Sequence, residues 1–290
     1  MEKSAILALA RELELPEPVL ALLPRAADAL PILPVRGLAG PETAGDAWAA
    51  VRTLLPDWQE DDGMAHLAIS LAAACRTREV YREHGISDGI FLATMGCFRR
   101  FLLETHDLFG RWAYDRAFWT WRQTGCLLFR LGALEFEYYT KEPEEKLPDF
   151  FPPDTVLLSV HIPSDAALTR EALDDSYAQA ERFFQAEGRA FCFRGAPTAA
   201  VCESWLLAPA LDELLPETSG IRRFASDYRR CAADENDVEF YRWLFQSPTP
   251  LPPDELPERT SLQRAAKARL AAGEKIGAGC GVLTGKINFS

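Results

Sequence analysis

Residues Gly125-Cys126-Leu127-Leu128-Phe129-Arg130-Leu131-Gly132-Ala133-Leu134-Glu135-Phe136-Glu137-Tyr138-Tyr139 decide how this chain folds. Apolar residues at 127, 129 and 131, then at 134, 136 and 138, alternate with other types, and Leu131-Gly132-Ala133 lies between the two runs. Alternation on both sides of a glycine-containing tripeptide predicts two short strands folded on a turn. The sequence before this hairpin reads as helix, and the sequence after it as strand mixed with helix. The expected division is a helical domain over 1–122 and a mixed domain over 123–290.

Upstream, helices are expected over Ile6 to Leu15, Pro18 to Leu30, Asp46 to Leu55, Asp62 to Gly85, Asp88 to Thr105 and Asp115 to Gln123. Gly85 suits a left-handed helix end, and Ser87 or Asp88 suits the next N-cap. Phe91, Met95, Phe98 and Leu102 then fall on one face. Downstream, charged and proline-rich Lys141 to Pro153 is a connection. Thr155 to Ile162 is nearly continuous in apolar and β-branched residues and reads as a buried strand. Thr169 caps a helix over Arg170 to Glu187, with Leu173, Tyr177, Ala180 and Phe184 on one face.

Ala190 to Phe193 and Ala199 to Leu207 read as strands and Pro209 to Leu215 as a short helix. Phe224 to Ala232 and Val238 to Gln246 read as a hairpin across Asp234-Glu235-Asn236. A final helix is expected over Ser261 to Ala272, after which Gly277, Gly279 and Gly281 turn the chain into a last strand. Mixed strands with helices packed on them make an α+β layer architecture.

The chain has 290 residues, of which 48% are hydrophobic and 26% charged, a balance ordinary for a globular protein with a large core. Its net charge of −12 repels phosphate backbones and anionic lipid, so neither nucleic acid nor membrane is the expected partner. No apolar run approaches the ~20 residues that span a bilayer. The opening Met-Glu-Lys-Ser-Ala-Ile-Leu lacks a basic signal-peptide start, and the expected location is cytoplasmic. The seven cysteines (75, 97, 126, 192, 202, 231 and 280) form no C-x-x-C pair, which predicts buried thiols and no zinc site.

The sequence resembles a bacterial family with a helical N-acyltransferase N-terminal domain followed by a GNAT-like C-terminal domain. The resemblance is carried by Tyr81-Arg82-Glu83-His84-Gly85-Ile86, Gly110-Arg111-Trp112, the hairpin Leu128 to Glu137 and Val160-His161-Ile162-Pro163. It continues through Asp175-Ser176, Phe183-Phe184, Cys202-Glu203-Ser204-Trp205-Leu206-Leu207 and Thr260-Ser261-Leu262-Gln263-Arg264-Ala265. It covers roughly residues 65 to 285. It implies an acyl-CoA co-substrate (acetyl-CoA or a longer chain), a small-molecule acceptor bearing an amine, and direct attack of that amine on the thioester. The alternative is a GNAT-like protein that binds or senses a small molecule without acyl transfer. No metal is implied, and no oligomeric state.

The resemblance also implies backbone amides that take the thioester oxygen and the pyrophosphate after the central strand. Ile162, Ser164 and Thr169 mark that stretch. It reads Ile162-Pro163-Ser164-Asp165-Ala166-Ala167-Leu168-Thr169, with no glycine of the superfamily's phosphate signature and with an acidic Asp165. Gly277-x-Gly279-x-Gly281 follows a helix instead of preceding one, so it reads as a helix end and turn.

His161, near the end of the central strand, is the candidate base, because imidazole titrates near neutrality. A histidine hydrogen-bonded inside the sheet is the alternative. Glu203 is a second base or an orienting group for His161, or else a solvent-facing or ion-paired residue. Tyr228 and Tyr241 are candidates to protonate a leaving thiolate, or core and surface residues. Cys202 and Ser204 lack a triad or nucleophile elbow.

Glu135 and Glu137 share a strand face, as a hydrolytic or metal-binding pair or as a solvated edge. Arg130, Arg222 and Arg223 are phosphate candidates or surface pairing residues. Trp112, Trp119 and Trp121 suggest a seam between domains or a ligand wall. His66, His84 and His106 are scattered, without metal-site spacing. The helical half is expected to cover the sheet and narrow a substrate pocket between the domains.

Overall fold

The structure is a computed structural model that describes residues 3–29, 35–55, 57–140 and 151–289. The chain forms two compact units, Met1–Leu131 with Gln185–Phe193, and Gly132–Phe184 with Arg194–Ser290.

The first unit holds α1 (Lys3–Glu12), α2 (Glu17–Asp28), α3 (Ala44–Arg52), α4 (Met64–Glu83), α5 (Asp88–Met95), α6 (Cys97–Phe109), α7 (Ala117–Thr124) and β1 (Leu128–Leu131). Leu67 through Ala74 of α4 are all buried, which makes α4 the central helix of the unit. Its four alanines in that run let neighbouring helices approach closely. Thr77 on α4 donates to the Thr124 carbonyl at 2.6 Å and ties α7 to it. Tyr81, Phe91, Phe129 and Phe191 form a buried aromatic cluster, with Tyr81 5.8 Å from both Phe91 and Phe129.

The single helix expected over Asp88 to Thr105 is two, α5 and α6, interrupted at Gly96. Ser87 is the N-cap, accepting from Ile90 N at 3.3 Å. The strand expected over Ala190 to Phe193 is absent. Residues Glu187–Phe191 form a 3-10 turn that places Phe191 among the first unit's aromatic rings.

The second unit holds β2 (Leu134–Thr140), β3 (Val156–His161), α8 (Arg170–Gln185), β4 (Ala200–Ser204), α9 (Leu211–Leu214), α10 (Gly220–Ala225), β5 (Tyr228–Asp234), α11 (Phe240–Leu244), α12 (Ser261–Ala271) and β6 (Ala278–Leu283). The turn from β1 into β2 uses Gly132 at φ 69°, a conformation glycine adopts without strain. The expected connection at 141–153 lies outside the described residues over 141–150, as does Leu30 of the second expected helix.

The unit's strands run in the order β2-β3-β4-β6-β5. Only β3 and β4 pair in parallel; the other neighbours are antiparallel. The fold is therefore the α+β arrangement read from the sequence. The face of α8 formed by Leu173, Tyr177, Ala180 and Phe184 is buried, and Thr169 accepts from Ala172 N at 3.2 Å as its cap.

Two local expectations fail. Val238 to Gln246 is not a strand: Asp234 accepts from Asn236 N, Asp237 accepts from Glu239 N, and these two side-chain turns end β5 and open α11. Phe240, Tyr241 and Phe245 then pack into a core cluster with Leu256 and Ile276, and β5 pairs with β6. Gly277, at φ 74°, turns the chain into β6 as expected, but the glycine run is not the helix end. The helix end is Gly273, two residues past α12, at φ 79°. Gly279 lies inside β6, where a Cβ would come within 2.3 Å of the Leu207 carbonyl oxygen, so its role is close packing of β6 under the turn after β4.

Candidate functional site

Strand alternation and register place the chemical groups of the second unit. In the antiparallel β2–β3 pair, Glu135 lies opposite His161 and Glu137 opposite Ser159. Residues opposite one another share a sheet face, so Glu135, Glu137, Ser159 and His161 point to the same side. His161 Nε2 is 2.8 Å from Glu137 Oε2, with side-chain exposures of 23% and 14%. Glu135 is 2% exposed. The reading of Glu135 and Glu137 as a solvated edge therefore fails.

On the other flank of β3, the parallel register with β4 consists of Leu158↔Ala200 and Ser159↔Val201. Beyond Ser159 and Val201 both strands continue, β3 to His161 and β4 to Ser204. Period-two alternation puts His161 on the face of Ser159 and Glu203 on the face of Val201, which is the same face. The structure thus brings His161, Glu137, Glu135 and Glu203 to one side of the sheet, where the β3–β4 register ends. Glu203 is exposed there and His161 is half-buried.

The stretch after β3 is compact. Ala166 N donates to the Pro163 carbonyl at 2.9 Å, closing a turn over Ser164 and Asp165, both exposed. Leu173 N and Ala172 N both bond to Thr169, through its carbonyl and hydroxyl. Ile162 is half-buried and Thr169 exposed. These amides serve the turn and the helix cap.

Tyr228 stands apart from this group. It pairs with Leu283 while Arg229 pairs with Val282, which itself pairs with Val201. Its side chain therefore projects from the face opposite His161. Its hydroxyl is buried beside that of Tyr177 without a hydrogen-bond partner, and burial pushes the phenol well above its ordinary range. Tyr241 is buried in the α11 cluster. Cys202 is fully buried, and desolvation raises its thiol strongly, which removes the thiolate a nucleophile needs. Ser204 accepts from Leu206 N and caps the short 3-10 turn after β4.

A second polar feature of the unit is a cleft of about 460 Å³ lined by Asp212, Glu217, Arg222, Arg223, Ser226 and Arg230 among others. The sequence singled out Arg222 and Arg223 but not their convergence with Arg230, which only the placement of α9, α10 and β5 creates. Glu137 as the partner of His161 was missed for the same reason. The β2–β3 register carries it, and residue spacing along one strand does not.

Within the first unit, Arg130 N donates to Thr94 Oγ1 at 3.0 Å. Trp112 stacks on His106 at 4.0 Å between ring centroids, and the Arg122 guanidinium lies over Trp119 and Trp121. His66 is buried beside Trp48, and His84 lies edge-on to Phe191. Among the described residues no group of three or more metal-ligating side chains converges, and no helix is long and apolar enough to cross a membrane.

Comparison with known proteins agrees with this architecture. Residues 3–126 match the model of the N-acyltransferase N-terminal domain, and residues 128–283 match that of the GNAT-like C-terminal domain. The fold is similar to a crystal structure of an acyltransferase mutant in complex with octanoyl-CoA, at 23% identity and TM-score 0.75, covering 97% of this chain and 88% of that one. It is also similar to an acyltransferase in complex with decanoyl-CoA and teicoplanin, at 23% identity and TM-score 0.67, covering 98% and 99%. A third, an acyltransferase in complex with CoA and 10C-teicoplanin, is 22% identical at TM-score 0.68, with both chains fully covered. No curated protein matches the chain. With over half its length in one family model, the chain belongs to the family of proteins with a GNAT-like C-terminal domain, here preceded by an N-acyltransferase N-terminal domain.

Proposed function

We propose that the protein transfers an acyl group from acyl-CoA to an amine on a small-molecule acceptor, with His161 as the base and Glu137 as the group that positions it. The observation that carries this reading is the 2.8 Å contact between His161 Nε2 and Glu137 Oε2 at the point where β3 and β4 cease to pair.

A neutral imidazole that donates from Nε2 to a carboxylate carries its lone pair on Nδ1. That atom takes the proton of the attacking amine. The carboxylate of Glu137 stabilises the imidazolium that results. The amine nitrogen forms its bond to the acyl carbon as the carbon–sulfur bond breaks, and the thiolate leaves with a proton from the medium. Holding both partners in line supplies much of the acceleration, and general base catalysis contributes roughly 10²–10⁴-fold. Glu203, exposed on the same face, is placed to attract the cationic form of an amine acceptor.

Acyl-CoA fits the residues present in one respect and departs in another. The ends of β3 and β4, which no longer pair with each other, offer main-chain edges for the amide-bearing pantetheine arm. The glycine-free turn at Pro163–Ala166 does not form the usual phosphate cradle. That departure is what supports the second reading, a binding protein that does no transfer.

Calorimetric titration with acetyl-, octanoyl- and decanoyl-CoA, followed by mass spectrometry of amine acceptors incubated with the bound donor, separates the two. Saturable binding and an acyl mass increment on an amine support the transferase. Binding without any product on a broad amine panel favours the binding protein. Absence of binding across the donors sinks the transferase and leaves a protein that binds a different small molecule.

A further inference from the structure

The cleft between α9, α10 and β5 carries three guanidiniums and two carboxylates, a local excess of positive charge in a protein of net charge −12. Two of the three are committed to one acid. Asp212 pairs with Arg230 through both carboxylate oxygens and with Arg222 at 3.3 Å. Arg230 Nε remains buried without a partner.

Arg223 differs. Its guanidinium donates to two backbone carbonyls, Leu168 O at 3.1 Å and Thr218 O at 3.3 Å, and it has no carboxylate partner among the described residues. These bonds use two of its five N–H donors.

Leu168 belongs to the glycine-free stretch that follows β3. α10 presses on the same residue: a Cβ on Gly220 would lie 3.1 Å from both Leu168 Cβ and Leu168 O. The arginine is therefore held against the connection from β3 to α8, in which the Ala166 amide closes a turn and Thr169 caps the helix. Guanidinium suits this position because its planar fork matches phosphate oxygens and its charge persists at any physiological pH.

We propose that this cleft receives the phosphate-bearing nucleotide end of the acyl donor, with Arg223 as the principal phosphate contact and Ser226 and Arg230 lining the site. The chain would then replace a main-chain cradle by a side-chain one. This inference rests on the acyl-CoA reading above, and it extends that reading to a cleft that adjoins the β3–α8 connection at Leu168.

The test uses the full-length protein with CoA, 3′-dephospho-CoA and pantetheine as probes. Hydrogen exchange on the unaltered protein is expected to show protection over 218–230 when CoA is added. Calorimetry is expected to show Arg223→Gln weakening CoA by about tenfold or more, the scale of a lost charge-assisted hydrogen bond, with pantetheine affinity unchanged. Arg223→Lys, which keeps the charge and can still reach the Leu168 carbonyl, should recover part of the loss. CoA binding that leaves 218–230 unprotected and is insensitive to Arg223→Gln overturns the inference while the acyl-CoA reading stands. No CoA binding to the unaltered protein removes the acyl-CoA reading and this inference with it. Should Arg223→Gln fail to fold, the exchange pattern of the unaltered protein and the Lys variant decide.

Discussion

The Glu137 carboxylate meets His161 Nε2 at 2.8 Å across the antiparallel β2–β3 pair, a diagonal contact from a residue two register pairs along from Glu135↔His161. A strand pair fixes that geometry more firmly than a loop would, because both backbones are locked in register. Glu137→Gln keeps the shape and an acceptor oxygen but removes the charge that stabilises the imidazolium. It is expected to lower kcat by about ten- to a hundredfold, with KM and melting temperature nearly unchanged. His161→Ala should lower kcat further, by about 10²–10⁴-fold. Steady-state kinetics with calorimetry checks both. A fall in melting temperature without a fall in kcat would make the pair structural.

Tyr228 yields the opposite expectation. Its hydroxyl lies on the other face of the sheet from His161, buried and without a hydrogen-bond partner. Leaving a buried hydroxyl unsatisfied costs about 1–3 kcal/mol, so Tyr228→Phe should leave stability unchanged or raise it. Turnover should be retained, since this phenol is not positioned to protonate a thiolate near His161. Parallel measurement of melting temperature and kcat tests this, and a large loss of kcat at unchanged stability would return Tyr228 to the mechanism.

The fold was legible where periodicity was long and unmixed. Alternation in 127–138 and the apolar run in 155–162 correspond to β1, β2 and β3, and Thr169 caps α8 as read. Legibility failed where tertiary partners decide. Val238 to Gln246 has strand-like aromatics, but Phe240, Tyr241 and Phe245 serve a helical cluster opened by two aspartate turns. Gly279 sits in a strand because the Leu207 carbonyl approaches it, which no local pattern announces. The same limit applies to the site. His161 was visible as a lone histidine at a strand end. Its partner, and the convergence of Arg222, Arg223 and Arg230, depend on register and on helix placement, which residue spacing does not encode.

A pH dependence of stability follows from His66. Desolvation lowers its pKa from 6.5, opposed in part by Asp61 and Asp57, and its Nδ1 is buried without a partner. A histidine with a folded-state pKa below its unfolded value favours the unfolded state once protonation begins. Its contribution is therefore complete above about pH 6.5 and is lost as pH falls toward the folded pKa. His66→Leu removes this titration, so its stability should decline less steeply between about pH 6.5 and 5 than that of the unaltered protein. Denaturant titrations at several pH values measure both slopes, and equal slopes would refute the assignment.

Asp227 ties three segments of the second unit together. Its side chain is 5% exposed, accepts from Arg170 Nη1 and Nη2 at 3.0 Å each and from the Tyr177 hydroxyl at 3.1 Å, and lies 3.3 Å from Lys286 Nζ. Its backbone carbonyl also accepts from Thr284. The start of α8, the entry to β5 and the chain after β6 thus meet on one residue. Asp227→Asn removes the charge while keeping the volume, and leaves Asp174 as the acid that Arg170 and Lys286 share. Asp227 is buried but its partners are about one-third exposed, so the loss is about 1–2 kcal/mol, which for a domain of this size lowers the melting temperature by roughly 2–8 °C. Arg170→Met alone should cost less, because that side chain is one-third exposed and leaves Lys286 to compensate the acid. The double variant should be less destabilised than the sum of the singles, since each removes the same interaction. Additive losses would show that the two residues stabilise the fold independently.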